Sequence, residues 1–228
     1  MMKRALQKFL QTKRRISDVD INLLLKNTNQ NLISFSGGFD DFCIGFVDMV
    51  GSTKISAYLT KEKACKYYGI FLNSMAAIAT EFGAKIVKSI GDSLLFYFPQ
   101  TNINFKSSIV NSLDCGMGMI ISANDVNDLM KKENLPSVQY RLSLDYGNVM
   151  IANQVNSETI DIFGPSVNMC SKINRFANPN SMVIGGDLFQ LVKFNENYKF
   201  KQIDGYCSGL IADYPIYSVI HDEEKKIL

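Results

Sequence analysis

Residues 42–53 read FCIGFVDMVGST. From Phe42 to Val50 the stretch is apolar apart from one acid, Asp48, and it has the length of a strand. Gly51-Ser52-Thr53 then stops it, so a buried strand runs into a tight turn with a carboxylate at its end. Downstream, Ala64, Tyr67, Tyr68, Phe71, Leu72, Met75, Ile78 and Ala79 recur at helical spacing. They predict an amphipathic crossover helix over Thr60–Phe82, with Thr60 as N-cap and Gly83 as C-cap. Residues 84–99, AKIVKSIGDSLLFYFP, are two β-rich runs split by Gly91-Asp92, a hairpin whose turn carries a second acid.

Beyond these, 104–132 reads as a second helix and 138–153, VQYRLSLDYGNVMIAN, as a hairpin around Tyr146-Gly147-Asn148. A helix at Ser166–Ala177, a strand at Ser181–Ile184, a helix at Asp187–Lys193 and a terminal hairpin complete the chain. The order from Asp41 is βαββαβ with additions. This predicts an α+β fold: a ferredoxin-like βαββαβ palm core with added C-terminal strands and helices. Upstream, residues 1–38 form a polar leader, helical around Lys3–Arg15 and again near Val19–Lys26, closing at Ser36-Gly37-Gly38. It reads as a linker or oligomerisation segment, or as a solvated helix packed on the domain. The domain proper is expected over 39–222, with a charged tail at 223–228.

Composition narrows the chemistry. The 228 residues carry 24 Lys+Arg against 22 Asp+Glu, which lacks the basic footprint of a dedicated nucleic-acid binder. No apolar run is long enough to cross a bilayer, and the basic N-terminus lacks a secretory cleavage pattern, so a cytoplasmic protein is expected. Cys43, Cys65, Cys115, Cys170 and Cys207 form no CxxC pair and read as reduced, mostly buried thiols. His221 is the single histidine, which excludes a histidine triad or a His/Cys zinc site. A metal here must be held by oxygen, which favours Mg²⁺, Mn²⁺ or Ca²⁺.

A right-handed crossover brings the end of the first strand beside the following hairpin, so Asp48 and Asp92 are expected to meet. Two close carboxylates repel unless a cation neutralises both. Two metals on paired acids suit phosphoryl chemistry, and the Gly51-Ser52-Thr53 turn can offer backbone N–H groups to phosphate. Taken singly, an acid at a strand end or in a Gly-Asp turn is an ordinary solvated residue. The joint placement is what points to a metal site, and it names no reaction.

FVDMVGST (46–53), KSIGDSLLFYF (88–98) and DIFGPSVNMCSKINRFA (161–177) resemble, in order, the three signature blocks of class III adenylate/guanylate cyclase catalytic domains. The resemblance extends from about Asp41 to Val219. It implies that Asp48 and Asp92 are metal-binding acids, with Met49 lending a backbone carbonyl, and that each site uses two Mg²⁺ or Mn²⁺ ions. It further implies that Lys88 and Asp161 contact the base, in the combination that selects adenine, and that Asn168 orients the ribose. Read alone, Lys88 is a strand-edge charge and Asp161 a loop acid.

Three positions depart from the family pattern. Lys172 stands where an arginine usually faces the developing phosphorane, with Arg175 one turn further along. Asp204 replaces a triphosphate-binding lysine, leaving Lys199 or Lys201 as substitutes. Asp145-Tyr146-Gly147 replaces a histidine or asparagine followed by threonine and glycine. Because metal acids and base-selecting residues come from opposite subunits in this family, the resemblance implies a head-to-tail homodimer with composite sites. The expected activity is conversion of a nucleoside triphosphate, ATP favoured, to a 3′,5′-cyclic nucleotide and pyrophosphate. The alternatives are a cyclase for GTP, UTP or CTP and a catalytically silent nucleotide-binding module.

Overall fold

The computed structural model describes residues 33–99, 105–154, 160–203 and 214–221. The strands are β1 (Ile33–Met49), β2 (Lys85–Ile90), β3 (Ser93–Phe98), β4 (Tyr140–Gln154), β5 (Ile160–Phe163), β6 (Ser181–Gly185), β7 (Tyr198–Ile203) and β8 (Ile216–His221). The helices are α1 (Ser52–Ala57), α2 (Lys61–Glu81), α3 (Phe105–Ile121), α4 (Ala123–Lys132), α5 (Pro165–Ile173), continued by a 3₁₀ turn at Asn174–Phe176, and α6 (Gly186–Val192). All strands join one sheet of order β2-β3-β1-β4-β6-β8-β7, with β5 paired to β4. The first four positions, β2-β3-β1-β4, are the expected palm. β3 is antiparallel to both β1 and β2, so β1 and β2 run parallel with β3 between them, as a split βαβ unit requires.

The crossover helix follows its sequence closely. The Thr60 side chain accepts from the Lys63 N–H at the start of α2, and Gly83 (φ 86°) takes the left-handed position just past its end. Tyr67, Phe71, Met75 and Ala79, four residues apart, form one buried stripe. That stripe packs with Val47, Phe96, Phe98, Leu142 and Leu144 from the sheet in the main core, which α3 and α4 complete. Each large side chain buried there contributes roughly 1.5–3 kcal/mol. The opposite face carries a smaller cluster of Phe42, Ile44, Leu95, Tyr97, Val149 and Ile162, with Cys170 from α5. Alternation along β1 thus sends Val47 and Met49 to the helical layer and Asp48 to the thinly covered face.

Three expectations are corrected. The segment 138–153 is no hairpin: β4 runs unbroken from Tyr140 to Gln154. Its partner β1 is long enough to pair along its whole length, from Met49↔Tyr140 to Ile33↔Gln154, so Gly147 lies opposite Phe42 instead of in a turn. Gly147 serves a close approach, since a Cβ there would meet Ser166 Oγ at 2.3 Å. The helix expected over 104–132 is two helices, α3 and α4, parted at Ser122, whose ψ of 4° leaves the helical range. Finally, Ser36-Gly37-Gly38 does not close the leader. β1 already begins at Ile33, and these residues fall where the β1–β4 register shifts between Phe35 and Phe39. The leader helices expected over 3–26, Asp204, Cys207 and the tail 223–228 lie outside the described residues.

Cys43, Cys115 and Cys170 are buried free thiols and Cys65 is an exposed one. Among the described residues, no helix is long and apolar enough to cross a membrane.

Candidate active site

Asp48 and Asp92 are brought together by strand register. Asp48 lies opposite Ser93 across the β1–β3 pair, and Asp92 occupies the turn just before Ser93. The Ser93 hydroxyl donates to Asp48 Oδ1. Burial pushes the Asp48 carboxyl above the usual carboxylate range; the Ser93 hydrogen bond lowers it, the like charge of Asp92 raises it, and Arg141 lowers it. Burial is the largest of these effects, so an ionised Asp48 lacks solvation in this corner, a condition a divalent cation relieves. Met49 follows on β1, buried and opposite Tyr140. Among the described residues no three His, Cys, Asp or Glu side chains cluster as a ready-made metal cage. Mg²⁺ sites that use one or two carboxylates with substrate phosphates need no such cage, so the donor set fits.

Arg141 is a candidate site residue that the motifs do not mark. It lies directly opposite Asp48 on β4, and its Nε is buried without a hydrogen-bond partner. A buried donor left unpaired costs about 1–3 kcal/mol, so an anion arriving at this corner would gain a ready partner. The available signal was the lone cation of β4, but its significance depends on the β1–β4 register.

Gly51 takes φ 71° at the end of β1 and starts the short helix α1, whose Ser52 is buried and Thr53 exposed. The three residues thus turn the chain immediately after the Asp48 corner.

The second cluster lies on β2, β5 and α5. The Lys88 ammonium donates to Asp161 Oδ2 in an ion pair, and the backbone N–H of Ile162 donates to Asp161 Oδ1 at 2.9 Å. Asp161 is 4% exposed, whereas the Lys88 side chain reaches solvent. Beside them a pocket of about 240 Å³ is lined by Phe46, Lys88, Ile90, Phe163, Asn168 and Ser171, among others. Phe46, Ile90 and Phe163 supply an apolar wall that motif reading did not assign. Pro165 occupies the first position of α5, where its missing N–H costs nothing, and Asn168 follows one turn later.

Lys172 lies four residues beyond Asn168 on α5 and is exposed, outside the pocket lining. Arg175 stacks its guanidinium 5.0 Å from the Phe176 ring centroid. Lys199 and Lys201 are on β7, separated from β1 by β8, β6 and β4, which is about 19 Å at ordinary strand spacing. Neither reaches Asp48 within one chain.

Asp145 belongs to neither cluster. It is 1% exposed, both its oxygens accept from the Tyr214 hydroxyl at 2.9 and 3.0 Å, and Oδ1 accepts from the Tyr146 N–H. Burial pushes its carboxyl up to about 7 against the lowering effect of these hydrogen bonds. Gly185 makes room for it, since a Cβ there would meet Oδ1 at 2.3 Å.

The family model for the adenylate and guanylate cyclase catalytic domain matches residues 36–207, more than half of the chain. The chain belongs to this family. This cyclase domain is 22% identical over 191 residues to a cytidylate cyclase of Staphylococcus aureus, covering 79% of the chain and 42% of that protein. Among solved structures, it is similar to the adenylyl cyclase CyaB of P. aeruginosa, with a TM-score of 0.73, 20% identity, and coverage of 81% of this chain and 96% of that one. The guanylyl cyclase Cya2 superposes with a TM-score of 0.70 at 19% identity, covering 84% of this chain and 98% of that one. The chain spans less than half the length of the curated relatives it matches. The α+β palm and membership of the class III nucleotidyl cyclase family are thus shown, and relatives acting on different bases share them.

Proposed function

We propose that this domain cyclises a nucleoside triphosphate, with ATP as the favoured substrate, to a 3′,5′-cyclic nucleotide and pyrophosphate. The observation that carries the reading is one thinly covered sheet face bearing both an acid pair, Asp48 with Asp92, in which burial desolvates Asp48, and a preformed cation–anion pair, Lys88 with Asp161. In the reaction the ribose 3′-oxygen forms a bond to the α-phosphorus, the bond to the β-phosphate oxygen breaks, and the hydroxyl proton leaves to solvent.

Asp48 and Asp92, with the Met49 carbonyl, would hold two Mg²⁺ or Mn²⁺ ions, which supply Lewis acidity at the 3′-oxygen and the triphosphate. Ser93 fixes the Asp48 carboxylate by its hydrogen bond. Arg141 adds a fixed positive charge opposite Asp48, suited to phosphate oxygens. Backbone N–H groups of Gly51, Ser52 and Thr53 are proposed as further phosphate contacts. Asn168 orients the ribose, and Lys172 supplies charge to the transition state without the planar fork of arginine.

The Lys88–Asp161 pair reads a base edge that presents a ring-nitrogen acceptor beside an exocyclic amine. Lys88 keeps donors to spare, and Asp161 keeps lone pairs on Oδ2. Adenine has this edge and so does cytosine, whereas guanine and uracil present the opposite polarity. A second reading, a cytidine triphosphate cyclase, therefore has specific support: the same edge chemistry and the similarity to a cytidylate cyclase over 79% of the chain.

A homodimer with composite sites completes the proposal, because among the described residues α5 with its 3₁₀ extension is the helical cover on the face that carries both clusters. Lys172, exposed on that helix, would act in the partner's site. Incubating the purified protein with each of the four triphosphates and Mn²⁺ tests the reading. ATP turnover above the other three is expected, exclusive CTP turnover selects the second reading, and preference for GTP or UTP overturns both.

A further inference from the structure

Two aromatic rings stand behind the Lys88–Asp161 pair. Phe163 lies on β5 two residues after Asp161, so both side chains leave the same face of the strand. Lys88 Nζ is 5.6 Å from the Phe163 ring centroid, within reach of a cation–π attraction. Phe163 also meets Phe35 in a T-shaped contact, with centroids 5.6 Å apart and planes at 67°. Phe35 comes from the N-terminal stretch of β1, before the register shift, and lies one residue ahead of the segment the family model matches. It is 56% exposed, so core packing accounts for little of its placement.

A lysine ammonium sits on a flexible four-carbon stem, so its ion pair with Asp161 fixes one donor and leaves the directions of the others free. A ring beneath it narrows the directions in which its remaining donors point. The Phe163 ring in turn needs its own plane fixed, which an edge-to-face neighbour supplies. Resting on the cyclase reading above, we infer that Phe163 is a specificity-determining wall of the base pocket and that Phe35 is its positioning residue. Recognition of an amine-bearing base then runs through the series Phe35–Phe163–Lys88–Asp161. The chain just upstream of the family-matched segment is thereby coupled to base choice.

The test compares wild type with Phe163→Leu, which keeps bulk and removes the ring face, Phe163→Tyr, which keeps the ring, and Phe35→Ala. KM and kcat are measured for each triphosphate with Mn²⁺, and affinities by calorimetry with Ca²⁺. Phe163→Leu is expected to raise KM for the favoured nucleotide about fivefold and narrow its lead over GTP by a similar factor, with kcat little changed. Phe163→Tyr should retain wild-type selectivity, and Phe35→Ala should shift KM about twofold in the same direction. Unchanged KM and base ratios in both Phe163→Leu and Phe35→Ala overturn the inference. If Phe163→Leu does not fold, Phe35→Ala decides, because its exposed side chain is dispensable to the core. A wild type that cyclises none of the four triphosphates breaks the catalytic reading instead, and the calorimetric affinities still decide the stack.

Discussion

The two clusters on the open face differ in how their charge is arranged. At the Asp48–Asp92 corner two acids lie close together and burial desolvates Asp48, with the Ser93 hydrogen bond and Arg141 acting against that cost. At the Lys88–Asp161 corner, opposite charges have already met. On the proposed reading the first corner needs a cation to complete it, and so gains most from ligand arrival. The second is preorganised: its ion pair is already formed, at the cost of desolvating Asp161. Catalytic power is therefore expected to reside in the first corner and selectivity in the second.

The strongest way to break that contrast is to neutralise the acids. Asp48→Asn or Asp92→Asn should lower turnover by at least about 10²-fold, since charge stabilisation is usually the largest catalytic contribution. Melting curves without metal should stay level or rise slightly as the like-charge repulsion is removed, and the increase in melting temperature produced by added Mn²⁺ should disappear. Equal product from Asp48→Asn and wild type would overturn the role of Asp48 as a metal-holding acid.

Arg141→Met should cost about tenfold in turnover, with partial recovery in Arg141→Lys, because lysine restores charge without the fork. The pH profile sharpens this prediction. Asp48 must be ionised to hold a cation, so activity should fall as pH drops through its raised pKa. Arg141 pulls that pKa down, so Arg141→Met should move the acidic limb to higher pH. An acidic limb that stays in place would show that Arg141 does not act on Asp48.

At the other corner, Lys88→Met should reduce the preference for ATP over GTP about tenfold while changing kcat less. It should also cost about 1–2 kcal/mol of stability. Removing one partner of a fully buried pair costs about 3–5 kcal/mol, and the solvent exposure of Lys88 discounts that figure. Chemical denaturation and competition assays with paired nucleotides measure the two effects.

The smallest effect on activity is expected at Asp145, which is buried like Asp161 but has no cation. Its folded carboxyl is pushed up to about 7, so the folded state keeps a proton that the unfolded state has released. Stability from this group is fully present below the ordinary carboxylate range and is lost as pH rises to about 7. Asp145→Asn should flatten the dependence of melting temperature on pH between about 4 and 7 while leaving turnover within about twofold.

Much of this arrangement was legible in local patterns, and the exceptions share a cause. The crossover helix, its Thr60 cap, the Gly91-Asp92 turn and the meeting of Asp48 with Asp92 follow from periodicity, caps and crossover handedness. Tyr146-Gly147-Asn148 has the residues of a turn yet lies in a strand. Whether a small polar run bends depends on whether a partner strand continues beside it, and here β1 does. The break at Ser122 lay inside a run that reads as continuous helix.

By itself the sequence determined the palm order, the turn that carries Asp92 and the family, because each depends on neighbours a few residues apart or on motifs of fixed spacing. Only the tertiary structure placed Arg141 opposite Asp48, closed Lys88 onto Asp161 across 73 residues of chain, and set Phe35 against Phe163. Those contacts are fixed by strand register and by which strands become neighbours. Register is a property of two distant segments together, so neither segment alone encodes it.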